Sequence, residues 1–166
     1  MGRSVLGNIR GRRVHRPPVR REQGLSPTGR RSSTACPRHR SVRDIDGPVD
    51  LAVVAVPAEQ VTEVVTECGE HGVQGLVVVS AGYAESGHEG RERQRALVRH
   101  ARTYGMRIIG PNAFGIINTS PQVRLNASLA PEVPRPGRIG LFAQSGAIGI
   151  ALLSRLHRRG GGRPRA

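Results

Sequence analysis

An open α/β fold with a parallel sheet is what the sequence predicts, and three observations predict it. Short, continuous apolar runs rich in β-branched residues recur at residues 50–56, 75–80 and 106–110. Such runs mark strands covered on both faces. Stretches with helical apolar spacing lie between them, and the connections are short. Strands that alternate with helices in this way build a doubly wound parallel sheet.

Each element follows in order. "DLAVVAV" (residues 50–56) is the first strand, and Pro57 stops it; proline also suits the first turn of a helix. Val61, Val64, Val65 and Cys68 then fall at i, i+3, i+4 and i+7, with Glu59, Glu63, Glu67 and Glu70 on the wet side. Gly72 ends that helix. "GLVVVS" (75–80) is a second strand, and "AGYAESGHEG" is a loop. "RERQRALVRHARTYG" (91–105) is a helix with Leu97, Ala101 and Tyr104 inward. "MRIIG" (106–110) is a third strand, broken by "GPN". "FGIINTSPQVRLNASL" reads as a short strand pair or an extended segment, and "PEVPRPG" as a proline-rich hinge. "RIGLFA" (138–143) restarts as a strand, and the following helix places Ile148, Ala151, Leu152 and Leu156 on one face. The domain plan is an Arg-rich stretch (1–40), one α/β domain (41–134), the start of a second α/β domain (135–160) and a tail (161–166).

The 166 residues suffice for one domain with a real core. Net charge is +14, and every basic residue is arginine. Residues 1–43 hold 12 Arg and one Glu, whereas residues 44–157 hold 10 Arg and 11 acids. The excess therefore sits at the ends, and a pI near 11.7 describes them rather than the body. Cys36 and Cys68 fit no metal or redox spacing; Cys68 reads as a buried thiol. The six histidines are scattered and read as surface residues. No apolar run reaches the roughly 20 residues of a membrane helix, and the N-terminus lacks a signal-peptide core. The default compartment is the cytoplasm.

Ligands of open α/β sheets bind at the carboxyl ends of the strands. Those ends are Val56, Pro57 and Ala58; Ser80, Ala81 and Gly82; Gly110, Pro111 and Asn112; and Gln144, Ser145 and Gly146. Small and turn-forming residues there let a ligand approach the backbone, though they also serve as plain turns. "FAQSGAIG" is the sharpest feature: free N–H groups where a helix begins, with the Ser145 hydroxyl, favour an anion. Ser145 as a simple N-cap is the bland alternative. A nucleophile elbow is a third, but Ala143 and Ala147 stand where it wants glycine, and no triad histidine is placed for it. Glu85 and Glu89 in the loop are weak evidence for acid–base work. No residue is assigned a catalytic or metal-binding role.

The ordered set "DLAVVAVPAEQVTEVV", "GLVVVSAGYAESG", "MRIIGPNAFGIINT" and "RLNASLAPEVPRPGRIGLFAQSGAIGIALL" resembles the CoA-binding region of NDP-forming acyl-CoA synthetases, relatives of the succinyl-CoA synthetase alpha subunit. The resemblance covers about residues 41–157. It implies a Rossmann-like CoA-binding domain followed by a flavodoxin-like one. It implies that Val79, Ser80 and Ala81 contact CoA, with Pro57 and Ala58 nearby and Gly110, Pro111 and Asn112 close to the thiol end. Ser145 and Gly146 would hold the transferred phosphate, in agreement with the anion reading. The family reaction joins acid and CoA at the expense of a nucleoside triphosphate, through acyl phosphate and phosphohistidine.

The chain departs from that pattern. The opening strand and its glycine-rich loop are missing, and "GRSVLGNI" resembles the helix that follows them. The phosphohistidine and nucleotide-grasp regions have no counterpart, so ATP or ADP would enter only through a partner chain or another domain. The resemblance thus implies a CoA or acyl-CoA binder inactive alone, or a non-catalytic subunit completed by a nucleotide-grasp partner. In place of the family's next strand stands "RVHRPPVRRE". A one-base slip in a GC-rich gene accounts for arginine without lysine, for lost periodicity, and for the pattern's return at "SVRDIDGPVD". On that account residues 11–40 and the last few are out-of-frame translation. The rival is an Arg-rich arm for nucleic acid, which the absence of base-stacking aromatics from that stretch disfavours.

Overall fold

The structure, a computed structural model, describes residues 39–131 and 134–160. The Arg-rich stretch before residue 39, with the "GRSVLGNI" segment that resembles a helix of the family, and the tail lie outside the described residues. Three strands, β1 (Leu51–Val54), β2 (Gly75–Val78) and β3 (Arg107–Ile109), form a parallel sheet in the order β1-β2-β3. Val53 pairs with Val77, and Val77 with Ile109. Two helices make the crossovers: α1 (Ala58–Glu70) and α2 (His88–Thr103). This is the predicted parallel α/β sheet. Coverage of both faces is complete only at the central strand, where Leu76, Val77 and Val78 are fully buried. β1 is half-buried over Leu51–Val53, and Arg107 and Ile109 of β3 are exposed, because each has a strand neighbour on one side only among the described residues.

The apolar spacing of α1 does what the sequence predicts. Val61, Val65 and Cys68 are buried against Leu76 and Val78, and Val64 packs at the margin. Each fully buried valine contributes about 1.5–3 kcal/mol. Gly72 follows the helix in left-handed backbone (φ +84°). Leu97 and Ala101 of α2 complete the core with Met106 and Tyr83. α2 starts at His88, one turn before the predicted start. Tyr104 is the exception on the predicted face. It is 37% exposed, because its ring lies over Gly69 of α1 at the helix ends instead of entering the core. Ahead of β1, the turn Val42–Asp44 closes with a capping box between Ser41 and Asp44. Ser41 also donates to Glu67 (2.9 Å), and Arg43 pairs with Glu70, tying the segment to α1.

The predicted strand pair forms. β4 (Gly115–Asn118) and β5 (Leu125–Ser128) run antiparallel, with Gly115 opposite Ser128. The predicted strand at 138–143 does not. The segment has no ladder partner among the described residues, and Ile139 and Phe142 are 82% and 92% exposed. The last helix, α3 (Gly146–Gly160), is present, but its predicted inward face is wrong. Ile148, Ala151, Leu152 and Leu156 are exposed. The helix instead presents Gly146 and Gly149 to Phe114, with ideal β-carbon positions 3.5 and 3.8 Å from that side chain. Two glycines admit close approach of a helix to a ring, and that contact sets the rotation of α3.

Candidate functional site

β1, β2 and β3 end at one edge of the sheet, and side-chain and backbone bonds stitch the segments that leave them. Ser80, only 7% exposed, donates its hydroxyl to the Val56 carbonyl (2.5 Å). Val79 N–H donates to Val54 O at 2.9 Å. The segment after β3 closes on β2: Asn112 N–H donates to Ser80 O (2.9 Å) and Ala113 N–H to Val78 O (3.1 Å). The Gly110–Pro111 peptide is cis, and Asn112 adopts left-handed backbone (φ 52°). Gly110 has φ 110°, and a β-carbon there would stand 2.4 Å from Val78 O, so only glycine fits this turn. The first three predicted strand ends are therefore one cluster.

Within it, Pro57, Ala81, Gly110 and Asn112 are exposed, Pro111 is half-buried, and Ala58, Val79 and Ser80 are buried. Pro57 is the N-cap of α1, and its carbonyl accepts from Gln60 N–H (3.0 Å). Ala58 packs under the loop, its methyl 3.2 Å from an ideal Gly82 β-carbon. The exposed rim is small and backbone-rich. The hydroxyl of Ser80 fixes its floor.

Ser145 and Gly146 open α3. Ser145 Oγ accepts a long bond from Ile148 N–H (3.4 Å), and Ser145 O accepts from Gly149 N–H (3.0 Å). Ser145 is thus positioned as an N-cap, the bland alternative, with its helix N-terminus exposed. Gly146 rests on Phe114, two residues beyond Asn112, so α3 begins beside the third strand end.

Sequence reasoning missed how the loop after β2 is held. Glu85 Oε1 accepts from the N–H groups of Gly82 (2.6 Å) and Tyr83 (3.1 Å). Partial desolvation works against its charge, but the N–H groups of Glu85, Tyr83 and Gly82 together hold the carboxyl below its ordinary value. From the other side, Arg93 Nη1 donates to Gly82 O (2.7 Å). A glutamate three residues after a glycine at a strand end was the available signal, since an acid at that spacing reaches back to a free N–H.

An open parallel sheet with small residues clustered beyond its strand ends defines a Rossmann-like ligand-binding domain. Comparison with known proteins agrees and is more specific. The family model described as CoA binding domain matches residues 22–119, and the chain belongs to that family. It is 46% identical over 115 residues to the alpha subunit of acetate–CoA ligase (ADP-forming) I of Pyrococcus furiosus, covering 69% of this chain and 24% of that protein. It is 44% identical over 126 residues to acetate–CoA ligase (ADP-forming) I of Archaeoglobus fulgidus, covering 76% and 18%. Among solved structures, the dinucleotide forming acetyl-coenzyme A synthetase 1 of Ca. Korarchaeum cryptofilum, in complex with phosphate and ADP, superimposes with a TM-score of 0.75 at 34% identity, over 93% of this chain and 31% of that one. A Pyrococcus horikoshii crystal structure gives a TM-score of 0.81, also at 34% identity, over 97% and 35%. The chain therefore spans a quarter or less of the length of these two curated relatives. Among the described residues, no helix is long and apolar enough to cross a membrane.

Proposed function

We propose that this chain holds CoA or acyl-CoA across the carboxyl ends of β1, β2 and β3, as the CoA-binding part of an ADP-forming acyl-CoA synthetase. The observation that carries the reading is the stitching of those strand ends into one exposed, small-residue rim around Ser80. In this reading Val79, Ser80 and Ala81 line the centre, Pro57 and Ala58 one flank, and Gly110, Pro111 and Asn112 the other. CoA, when bound, supplies the thiol that accepts the acyl group. The chain's own residues bind and orient it through backbone groups. Ser145 and Gly146, at the exposed start of α3, face a phosphoryl group with helix N–H donors.

The acid, the nucleotide and phosphoryl transfer are handled by a further domain or a partner chain. The Pyrococcus furiosus relative is named an alpha subunit, and that favours a partner chain carrying the nucleotide-grasp part. By itself the 166-residue chain forms no acyl-CoA. Calorimetric titration with CoA tests the binding claim: saturable one-to-one binding is expected. Ala81→Asp places a carboxylate on the exposed rim and weakens binding by about ten-fold or more, since like charges oppose the CoA phosphates, while leaving the melting temperature unchanged. Absence of binding by the wild-type chain overturns the reading. Acid-, ATP- and CoA-dependent acyl-CoA formation by the chain alone overturns the second claim.

A further inference from the structure

We propose that Glu85 is a positioning residue for the CoA-facing loop, acting with Arg93 to fix the backbone at Gly82 and so to present Ala81. This rests on the strand-end reading above. The strand ladder stops at Val78, so the sheet no longer dictates the shape of residues 80–82. Four hydrogen bonds replace it. Ser80 is fixed by its hydroxyl bond to Val56 O and by the bond its carbonyl accepts from Asn112 N–H. Gly82 is held at both of its peptide groups: Glu85 takes its N–H at 2.6 Å and Arg93 binds its C=O at 2.7 Å. The exposed Ala81 lies between these two fixed points. Glycine is the residue that loses most freedom on ordering, so a glycine held on both sides marks a loop whose shape is specified. Tyr83 anchors the far side: it is 1% exposed, and its N–H is the second donor to Glu85 (3.1 Å). Glu85 itself is exposed, so burial does not account for its place. Its carboxylate engages the loop's own amides, which is the work of a brace rather than of a general acid or base.

The experiment uses the full chain and its Glu85→Ala, Glu85→Gln and Arg93→Ala variants, with CoA titration and amide hydrogen exchange of Gly82 and Tyr83. Glu85→Ala weakens CoA binding about ten-fold, the loss expected for one or two charge-assisted hydrogen bonds, and speeds exchange at both amides. Glu85→Gln keeps an acceptor oxygen at the same reach and stays within about three-fold of wild type. Arg93→Ala weakens binding from the carbonyl side. Equal affinity of Glu85→Ala and wild type overturns the proposal. Tighter binding by Glu85→Ala also overturns it, because the carboxylate would then be occupying the ligand's own anion seat. A Glu85→Gln loss as large as that of Glu85→Ala overturns it as well, in favour of a role for the charge. Failure of the wild-type chain to bind CoA is a different result: it removes the site reading itself, whatever the exchange rates.

Discussion

Cys68 shows how one residue's environment sets its chemistry. It is 2% exposed on the inner face of α1. Burial first, and the neighbouring Glu67 carboxylate second, push its thiol up to about 11 from an ordinary value of 9.0. The thiol therefore stays protonated at neutral pH and is a poor nucleophile. Peptide-mapped alkylation with iodoacetamide at pH 8 leaves Cys68 unlabelled in the native chain and labels it in denaturant. The linkage has a definite sign. A raised folded value favours the protonated, folded form below about pH 9, and that contribution is lost as pH rises to about 11. Cys68→Ala flattens the fall in stability over that range. Burial of Cys68 was legible from its i+7 spacing after Val61. The hydrogen bonds of Glu85 had only a weak signal, its place three residues after Gly82, because an acid at that spacing in a loop can equally face solvent.

At the scale of elements, packing is enforced by glycines whose neighbours leave no room. A β-carbon at Gly90, in the first turn of α2, would lie 1.7 Å from the Tyr83 carbonyl oxygen. The obstacle is backbone and cannot rotate away. Gly90→Ala therefore costs about 1–3 kcal/mol or more, read as a lower denaturant midpoint, and it displaces the Tyr83 loop enough to weaken CoA binding as well. At Gly69 the obstacle is the Tyr104 ring, 2.3 Å away at its Cγ. The ring is partly exposed and can swing, so Gly69→Ala costs less than Gly90→Ala. A reversal of that order would contradict the packing. These contacts explain what patterning could and could not reveal. Spacing located α1, α2, β1, β2 and β3, because each buries one stripe or run against the same core. It misplaced the face of α3, because Phe114, a residue over thirty positions earlier, decides the rotation through Gly146 and Gly149. It turned 138–143 into a strand because apolar alternation reports suitability for a sheet, and a ladder also needs a neighbour.

For the molecule as a whole, charge and fold speak about different parts. The body from 44 to 157 is close to neutral, and the +14 is an end effect. Polyanion binding in low salt follows from that charge alone and falls steeply with added salt. The CoA binding proposed at the strand ends, carried by peptide groups, is expected to retain most of its strength at moderate salt. A CoA affinity that collapsed in parallel with DNA affinity between 50 and 200 mM salt would assign both to the arginine-rich ends. The fold class, the ordered strand ends and the family were all legible, because they depend on local runs and turns. How the strand ends join through Ser80, Asn112 and Val56 was not, since those bonds link residues far apart in sequence.

The seat of α3 on Phe114 has a thermodynamic consequence. A 15-residue helix is near the length at which helices are marginal in water without tertiary support, and here Gly146 and Gly149 pack on Phe114 while Ile150, Leu153 and Ser154 are no more than half-buried. α1, α2 and the sheet share a core and melt together. α3 shares little of it, so the chain is expected to contain two cooperative units of unequal strength. On heating, ellipticity at 222 nm falls in two steps, the smaller and earlier one belonging to α3. The enthalpy from the shape of the main transition then agrees with calorimetry only once that first step is subtracted. Phe114→Ala lowers the first midpoint and leaves the second nearly in place.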